Sequence, residues 1–109
     1  IKVTLNTGYP SVIQKQLIDK FNIKEYIDDF ISSDEVKYGR PYPYMIHKLM
    51  ERNNIMNIKS VLKFGDSRND VLEGINAGCL SSVGVLSGVG TNKDLKDARY
   101  VLNNIMEIE

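Results

Sequence analysis

Short apolar runs alternate with helix-period apolar stripes along the chain, and nearly every change of period falls at a glycine, proline or serine. The runs predict strands at 1–5, with Val3 and Leu5, at 29–32, with Phe30 and Ile31, and at 60–64, with Val61, Leu62 and Phe64. Two more are expected at 80–86, valine-rich and interrupted by Gly84, and at 99–102. The first stripe follows Ser11, which is placed to cap a helix whose core side carries Val12, Ile13, Leu17, Ile18 and Phe21. A second helix opens at Pro43, carries Met45, Ile46, Leu49 and Met50, and runs to about Asn54. A third is expected at 69–77, with Val71, Leu72 and Ile75 inward and Gly78 as its stop, and a short last one at 103–108. Strands and helices that alternate through short loops predict an α/β fold, a parallel sheet with helices on its faces. Ligands of such sheets gather beyond the carboxyl ends of the strands. The segments to read for chemistry are therefore Asn6-Thr7-Gly8, Ser33-Asp34, Gly65-Asp66-Ser67 and Ser87-Gly88.

A length of 109 residues fits one domain, taken as 1–109. Fourteen basic residues balance fourteen acidic ones, which leaves no bulk field to hold nucleic acid or an anionic membrane. No apolar run reaches the length of a membrane span, and no segment reads as a signal peptide. The single cysteine, Cys79, rules out an internal disulfide and suits a reducing compartment, so a cytoplasmic location is expected. Its setting, Ala77-Gly78-Cys79-Leu80, is that of a small core residue at the start of a strand. The chain opens on Ile1-Lys2-Val3, inside an expected strand and without Met, which reads as the start of a cut chain.

Three segments carry chemistry. In Gly65-Asp66-Ser67-Arg68-Asn69-Asp70 one carboxylate stands at a strand's end and another in the first turn of a helix. Carboxylate oxygens suit Mg²⁺, which needs few of them when phosphate completes its shell. The same residues also suit helix capping by Asp66 or Ser67, with Asp70 at the positive helix end. Thr7 followed by Gly8 offers a hydroxyl and backbone N–H groups to a phosphate oxygen, or forms a plain turn. Arg40, between Gly39 and Pro41, presents a fixed fork of donors that matches phosphate, in a loop stiffened by Pro41 and Pro43. Together the three place a hydroxyl, a cation and paired carboxylates at one sheet edge, the composition of a phosphate site with a metal.

The order Thr7, Arg40, Asp66/Asp70 resembles motifs two, three and four of the haloacid dehalogenase-like hydrolases, and within them the phosphonatase-like group. The segments that carry the resemblance are Asn6-Thr7-Gly8-Tyr9, Gly39-Arg40-Pro41-Tyr42-Pro43, Gly65 to Asp70 with Glu73-Gly74-Ile75-Asn76-Ala77-Gly78, and Val83-Gly84-Val85-Leu86-Ser87-Gly88. The resemblance implies a Rossmann-like core with helices on both faces and a Mg²⁺-dependent phosphohydrolase, either a phosphatase or phosphonatase-like, that works through an aspartyl-phosphate. It implies that Thr7 donates to a phosphoryl oxygen, helped by the Gly8 N–H, and that Arg40 neutralises the phosphoryl group where many relatives have lysine. It implies Asp66 as the main Mg²⁺ ligand, with Asp70 supporting the metal shell or orienting Arg40. The substrate implied is a small phosphate ester or phosphonate.

The family's first motif, a strand ending in Asp-x-Asp that bears the nucleophile, is not found in these 109 residues. The resemblance places that strand in the middle of the sheet, between the one ending at Thr7 and the one leading to Asp66. It places a cap, with a Schiff-base lysine in phosphonatases, after it. The expected core is therefore incomplete, with two exposed strand edges. Such a chain is expected to be inactive alone, and either unstable or rebuilt by closing the gap, pairing with a second copy or retaining a separate amino-terminal piece. Two rival readings stand beside the hydrolase. One is a non-catalytic fragment or pseudoenzyme that binds phosphate or a partner. The other is a receiver-like signalling domain, which normally uses lysine rather than a Gly-Arg-Pro loop and places its carboxylates early. His47 is read as a solvated helix residue, the methionines as core filling, and Lys63 as outside the core site.

Overall fold

The computed structural model describes residues 1–86, 95–98 and 100–103. The loop expected at 87–92 and the helix expected at 103–108 lie, beyond Asn103, outside the described residues. Among the described residues the order is β1 Thr4–Thr7, α1 Ser11–Lys20, β2 Asp29–Ser32, α2 Tyr44–Arg52, β3 Leu62–Gly65, α3 Arg68–Ala77, β4 Ser81–Val85 and β5 Tyr100–Leu102. The alternation predicts parallel pairing, and every ladder is parallel. The ladders form two sheets. One pairs β1 with β2, and the other runs β3-β4-β5. Among the described residues no ladder joins β1 to β3, and no described strand fills the slot expected between the strands of Thr7 and Asp66. Thr7 lies beside Ser32 and Gly65 beside Gly84, which brings the carboxyl ends of paired strands out level.

Helix α2 packs against both halves. Met45 and Leu49 meet Ile31 of β2, with Val36 alongside, while Ile46 meets Ala77 and Cys79, flanked by Met50, Ile58 and Val61. That stripe is as expected from its spacing. Cys79 is a buried core residue, and burial pushes its thiol above the usual range. His47 is exposed on α2, but its Nε2–H donates to the Ala77 carbonyl at 3.1 Å and so satisfies an open group in the last turn of α3. α3 ends at Gly78, whose φ of 85° is the left-handed stop expected there. No helix among the described residues is long and apolar enough to cross a membrane.

Four elements depart from expectation. β1 extends to Thr7 because Asn6 and Thr7 continue the ladder opposite Ile31 and Ser32. β3 begins at Leu62 because 58–60 forms a 3-10 turn, capped by Asn57 accepting from the Lys59 N–H. Ser11 is not the cap of α1. It is the first helical residue, and its N–H and hydroxyl both donate to Asp34. α1 buries Gln14 and Ile18, while Val12, Ile13, Leu17 and Phe21 are exposed. A two-stranded sheet is too narrow to cover so broad a stripe, and Gln14 is fixed inward because its amide donates to the Ile31 carbonyl and the Ser32 hydroxyl. α3 likewise turns Asp70, Val71, Glu73, Gly74 and Ala77 inward and leaves Ile75 exposed. Its orientation follows from polar partners below it, among them the Ser82 hydroxyl donating to the Val71 carbonyl at 2.7 Å.

Candidate active site

The loop after β1 is tied down at both ends. Thr7 Oγ1 accepts from the Tyr9 N–H at 3.2 Å, and the Gly8 carbonyl accepts from the Ser33 hydroxyl at 2.8 Å. Arg40 arrives from the β2–α2 loop and lies directly over Gly8. A Cβ placed on Gly8 would come within 2.9 Å of Arg40 Nη2, so a side chain there would displace the guanidinium from this seat. The Nη1 of Arg40 donates to Asp70 Oδ1 at 2.6 Å. Three loops expected at one sheet edge therefore meet: the hydroxyl and N–H loop of Thr7-Gly8, the cation Arg40, and Asp70 in the first turn of α3.

Asp70 is fixed from several sides. Ser67 caps α3, and the two residues form a reciprocal capping box in which the Ser67 hydroxyl and N–H both donate to Asp70 Oδ2. Gly65 permits this closeness, since a Cβ there would collide with Asp70 Cβ. Lys63 Nζ stands 3.7 Å from Asp70 Oδ1. Burial pushes the Asp70 carboxyl up, but Lys63, Arg40 and Ser67 outweigh it and hold the group below the usual carboxylate range. Asp70 thus fills the capping role and the Arg40-orienting role at once, with both oxygens engaged by protein groups. Asp66 is half-buried in the turn between β3 and α3.

Three residues join the site beyond those assigned to it from the sequence, where Lys63 is weighed and left out. Lys63 reaches from β3 to Asn6 Oδ1 at 2.6 Å, and Asn6 Nδ2 donates to Glu73 Oε2 at 2.9 Å. Lys63 Nζ is 3.2 Å from Glu73 Oε1. That contact is an ion pair without hydrogen-bond alignment, and Oε1 is a buried atom with no hydrogen-bond partner. Glu73 is fully buried, and burial raises its pKa more than Lys63 and Asn6 lower it. A signal was present in the spacing, because 70 and 73 share one face of a helix and Asn6 directly precedes Thr7. Tyr38, Tyr42 and Tyr44 form an exposed aromatic cluster, with the rings of Tyr42 and Tyr44 stacked at 6.1 Å. An open concavity of about 570 Å³ lies beside Tyr38 and Tyr44, lined also by His47 and Glu51, and holds none of the phosphate-site residues.

Among the described residues no three histidine, cysteine or acidic side chains gather closely enough to hold a metal by themselves. A Mg²⁺ ion fits this chain in a more limited way. It takes one or two protein carboxylates and completes its octahedron with water and phosphate, and Asp66, in the turn that follows β3, is a carboxylate of the kind such a shell uses.

A sequence model of the family described as haloacid dehalogenase-like hydrolase matches residues 1–85. The chain is 37% identical over 89 residues to a phosphonoacetaldehyde hydrolase of Parabacteroides distasonis, a match covering 81% of this chain and 33% of that one. It is 30% identical over 110 residues to a phosphonoacetaldehyde hydrolase of Bacillus cereus, covering 100% of this chain and 40% of that one. Its structure is similar to that of a predicted phosphatase from Clostridium acetobutylicum, with a TM-score of 0.86 and 26% identity over 98% of this chain and 50% of the other. The chain thus spans well under half the length of these curated relatives.

Proposed function

The chain belongs to the haloacid dehalogenase-like hydrolase family, and from that premise we propose that it carries the phosphate-binding half of a Mg²⁺-dependent hydrolase acting on a small phosphonate or phosphate ester. The observation that carries this reading is the seat of Arg40, clamped by Asp70 over the glycine of a strand-end loop. A guanidinium held there presents its Nη2 donors towards the space above Thr7-Gly8, where a phosphoryl group finds a cation, a hydroxyl and backbone N–H groups together. The Thr7 oxygen already accepts from Tyr9, so its own proton is free to be donated to a phosphoryl oxygen. Asp70 keeps Arg40 from swinging into solvent and lowers the cost of ordering it. Mg²⁺, held through Asp66, would screen the negative charge brought together at the phosphoryl group.

The nucleophile, an aspartate that takes the phosphoryl group as an aspartyl-phosphate, is proposed to come from a segment outside these 109 residues, because they contain no Asp-x-Asp. The same segment would fill the slot between β1 and β3 as a strand and cover the exposed apolar side of α1. On this reading the 109 residues alone have no turnover. Two phosphonoacetaldehyde hydrolases stand among the relatives, which makes phosphonoacetaldehyde the first substrate to assay and a phosphate monoester the second.

The test is steady-state kinetics of the complete protein with Arg40→Lys and Arg40→Ala. Lysine keeps the charge but loses the fork, so Arg40→Lys is expected to retain a fraction of the activity and Arg40→Ala to lose about 10²-fold or more in kcat/KM. Wild-type kinetics in Arg40→Ala would refute the phosphate site.

A further inference from the structure

Among the described residues the two sheets share no backbone ladder, yet the site is assembled from both: Thr7 ends β1 with Gly8 just after it, and Asp70 lies on α3 beside β3. Polar side chains span the slot on its α3 face, where Asn6 and Lys63 both meet Glu73 of that helix, and so leave its backbone edges to a strand. The Asn6 amide is read from both ends, its oxygen by the Lys63 ammonium and its nitrogen by the Glu73 carboxylate, so its orientation is fixed. Lys63 also stands 3.7 Å from Asp70 and 3.2 Å from Glu73. Its side chain is 11% exposed and that of Glu73 0%. Burying such a pair is a poor source of stability, since an apolar replacement of both partners is often neutral or better. What the network does supply is position. It starts one residue before Thr7 and ends one helical turn after Asp70.

From this geometry we infer that Lys63 is a positioning residue, which through Asn6 and Glu73 sets the spacing between the Thr7-Gly8 loop and the Arg40–Asp70 pair. The inference rests on the phosphate-site reading given above. It makes Lys63 part of the site's support without contact to substrate, and it assigns a purpose to a fully buried carboxylate that the chemistry does not otherwise use. A misplacement of about 1 Å between groups that grip one phosphoryl group costs on the order of 10²-fold in rate.

The experiment separates position from mere charge neutralisation. Lys63→Met alone strands a buried carboxylate, so the informative protein is the complete enzyme carrying Lys63→Met together with Glu73→Gln, with Glu73→Gln as the folding control. The expected result is a double variant whose thermal midpoint stays near that of wild type while kcat falls about 10- to 100-fold with a much smaller change in KM. Recovery of kcat to within about twofold of wild type, by the same measure, would mean that Lys63 only neutralises Glu73, and would overturn the inference. Loss of fold in the double variant but not in Glu73→Gln would also overturn it, by making Lys63 a plain core residue. Arg40→Ala is assayed in parallel. If it keeps turnover, the phosphate-site reading fails. If it abolishes turnover while the double variant keeps it, only the role of Lys63 fails.

Discussion

The half built on β3, β4 and β5 and the half built on β1 and β2 solve the same packing problem with unequal means. In the first, β4 has a strand on each side and all five of its residues are buried, with α3 packed close enough that Gly74 meets Ser82 and Lys63. In the second, two strands leave α1 with four large apolar side chains in solvent. The difference shows that the sheet has a self-sufficient side and a dependent side, and that α2 is the element both rely on. Large apolar side chains exposed side by side are a feature of interaction faces, and on the proposed reading the added segment covers them.

Met45 offers the hardest test of that contrast. It is fully buried against Ile31 and Leu49, on the dependent side. Met45→Ala is expected to cost about 2–5 kcal/mol in urea unfolding. By hydrogen exchange the loss of protection should fall first on β2 and only then on β4. An equal loss across both sheets would mean that the halves open as one cooperative unit, and the comparison would break there.

The α/β class and the five strands follow from period and turn residues, which act locally, and the stripe of α2 was legible because it is apolar on one side and charged on the other. The meeting of Gly8, Arg40 and Asp70 follows from the rule that parallel strands end at a common edge. What could not be read was which side of α1 and α3 faces in. For α1, Val12, Ile13, Leu17 and Phe21 form a plausible core stripe, and nothing local says that the covering surface is absent. For α3, the inward residues include Asp70 and Glu73, which a hydrophobic period assigns to solvent. Lys63, between Leu62 and Phe64, reads as a strand residue whose head group reaches either the site or the sheet edge, and the strand pattern does not decide between them. Its partner Asn6 is 57 positions away, and the pairing exists only once both halves are built.

A smaller effect, set by pH, sharpens the contrast at the slot itself. Burial raises the Glu73 pKa above its ordinary value of 4.5, with Lys63 and Asn6 offsetting only part of the shift. Between the ordinary and the raised value the folded state holds a proton that the unfolded state has released. The stabilisation is therefore complete below the ordinary value and is lost as pH rises through the folded one. Glu73→Gln lacks this titration, so its stability relative to wild type should increase with pH across that window and then level off. Urea midpoints measured in a pH series check it. A flat difference, or one that falls with pH, would show that Lys63 keeps the carboxylate charged and that the slot is held by a true ion pair.

The smallest effect concerns how side chains of the dependent side hold β2. Beside its ladder to β1, the strand is gripped by side chains: Gln14 donates to the Ile31 carbonyl and Arg52 to the Phe30 carbonyl at 2.9 Å. Arg52 also clasps Asp29 with two donors, and Asn53 adds a third at 2.9 Å, which joins the end of α2 to the start of β2. Burial pushes the Asp29 carboxyl up, but Arg52, the Phe30 N–H and Asn53 outweigh it and hold the pKa below the ordinary 3.8. The clasp therefore stabilises above that value and is lost as pH falls through the folded one. It lies at the surface and is screened, so Asp29→Asn is expected to cost only about 0.2–1 kcal/mol at neutral pH, less in 1 M salt. A loss of several kcal/mol that salt leaves unchanged would place the clasp among the structural supports of the fold. The dependent side would then rest on side-chain links as firmly as the other side rests on its ladders.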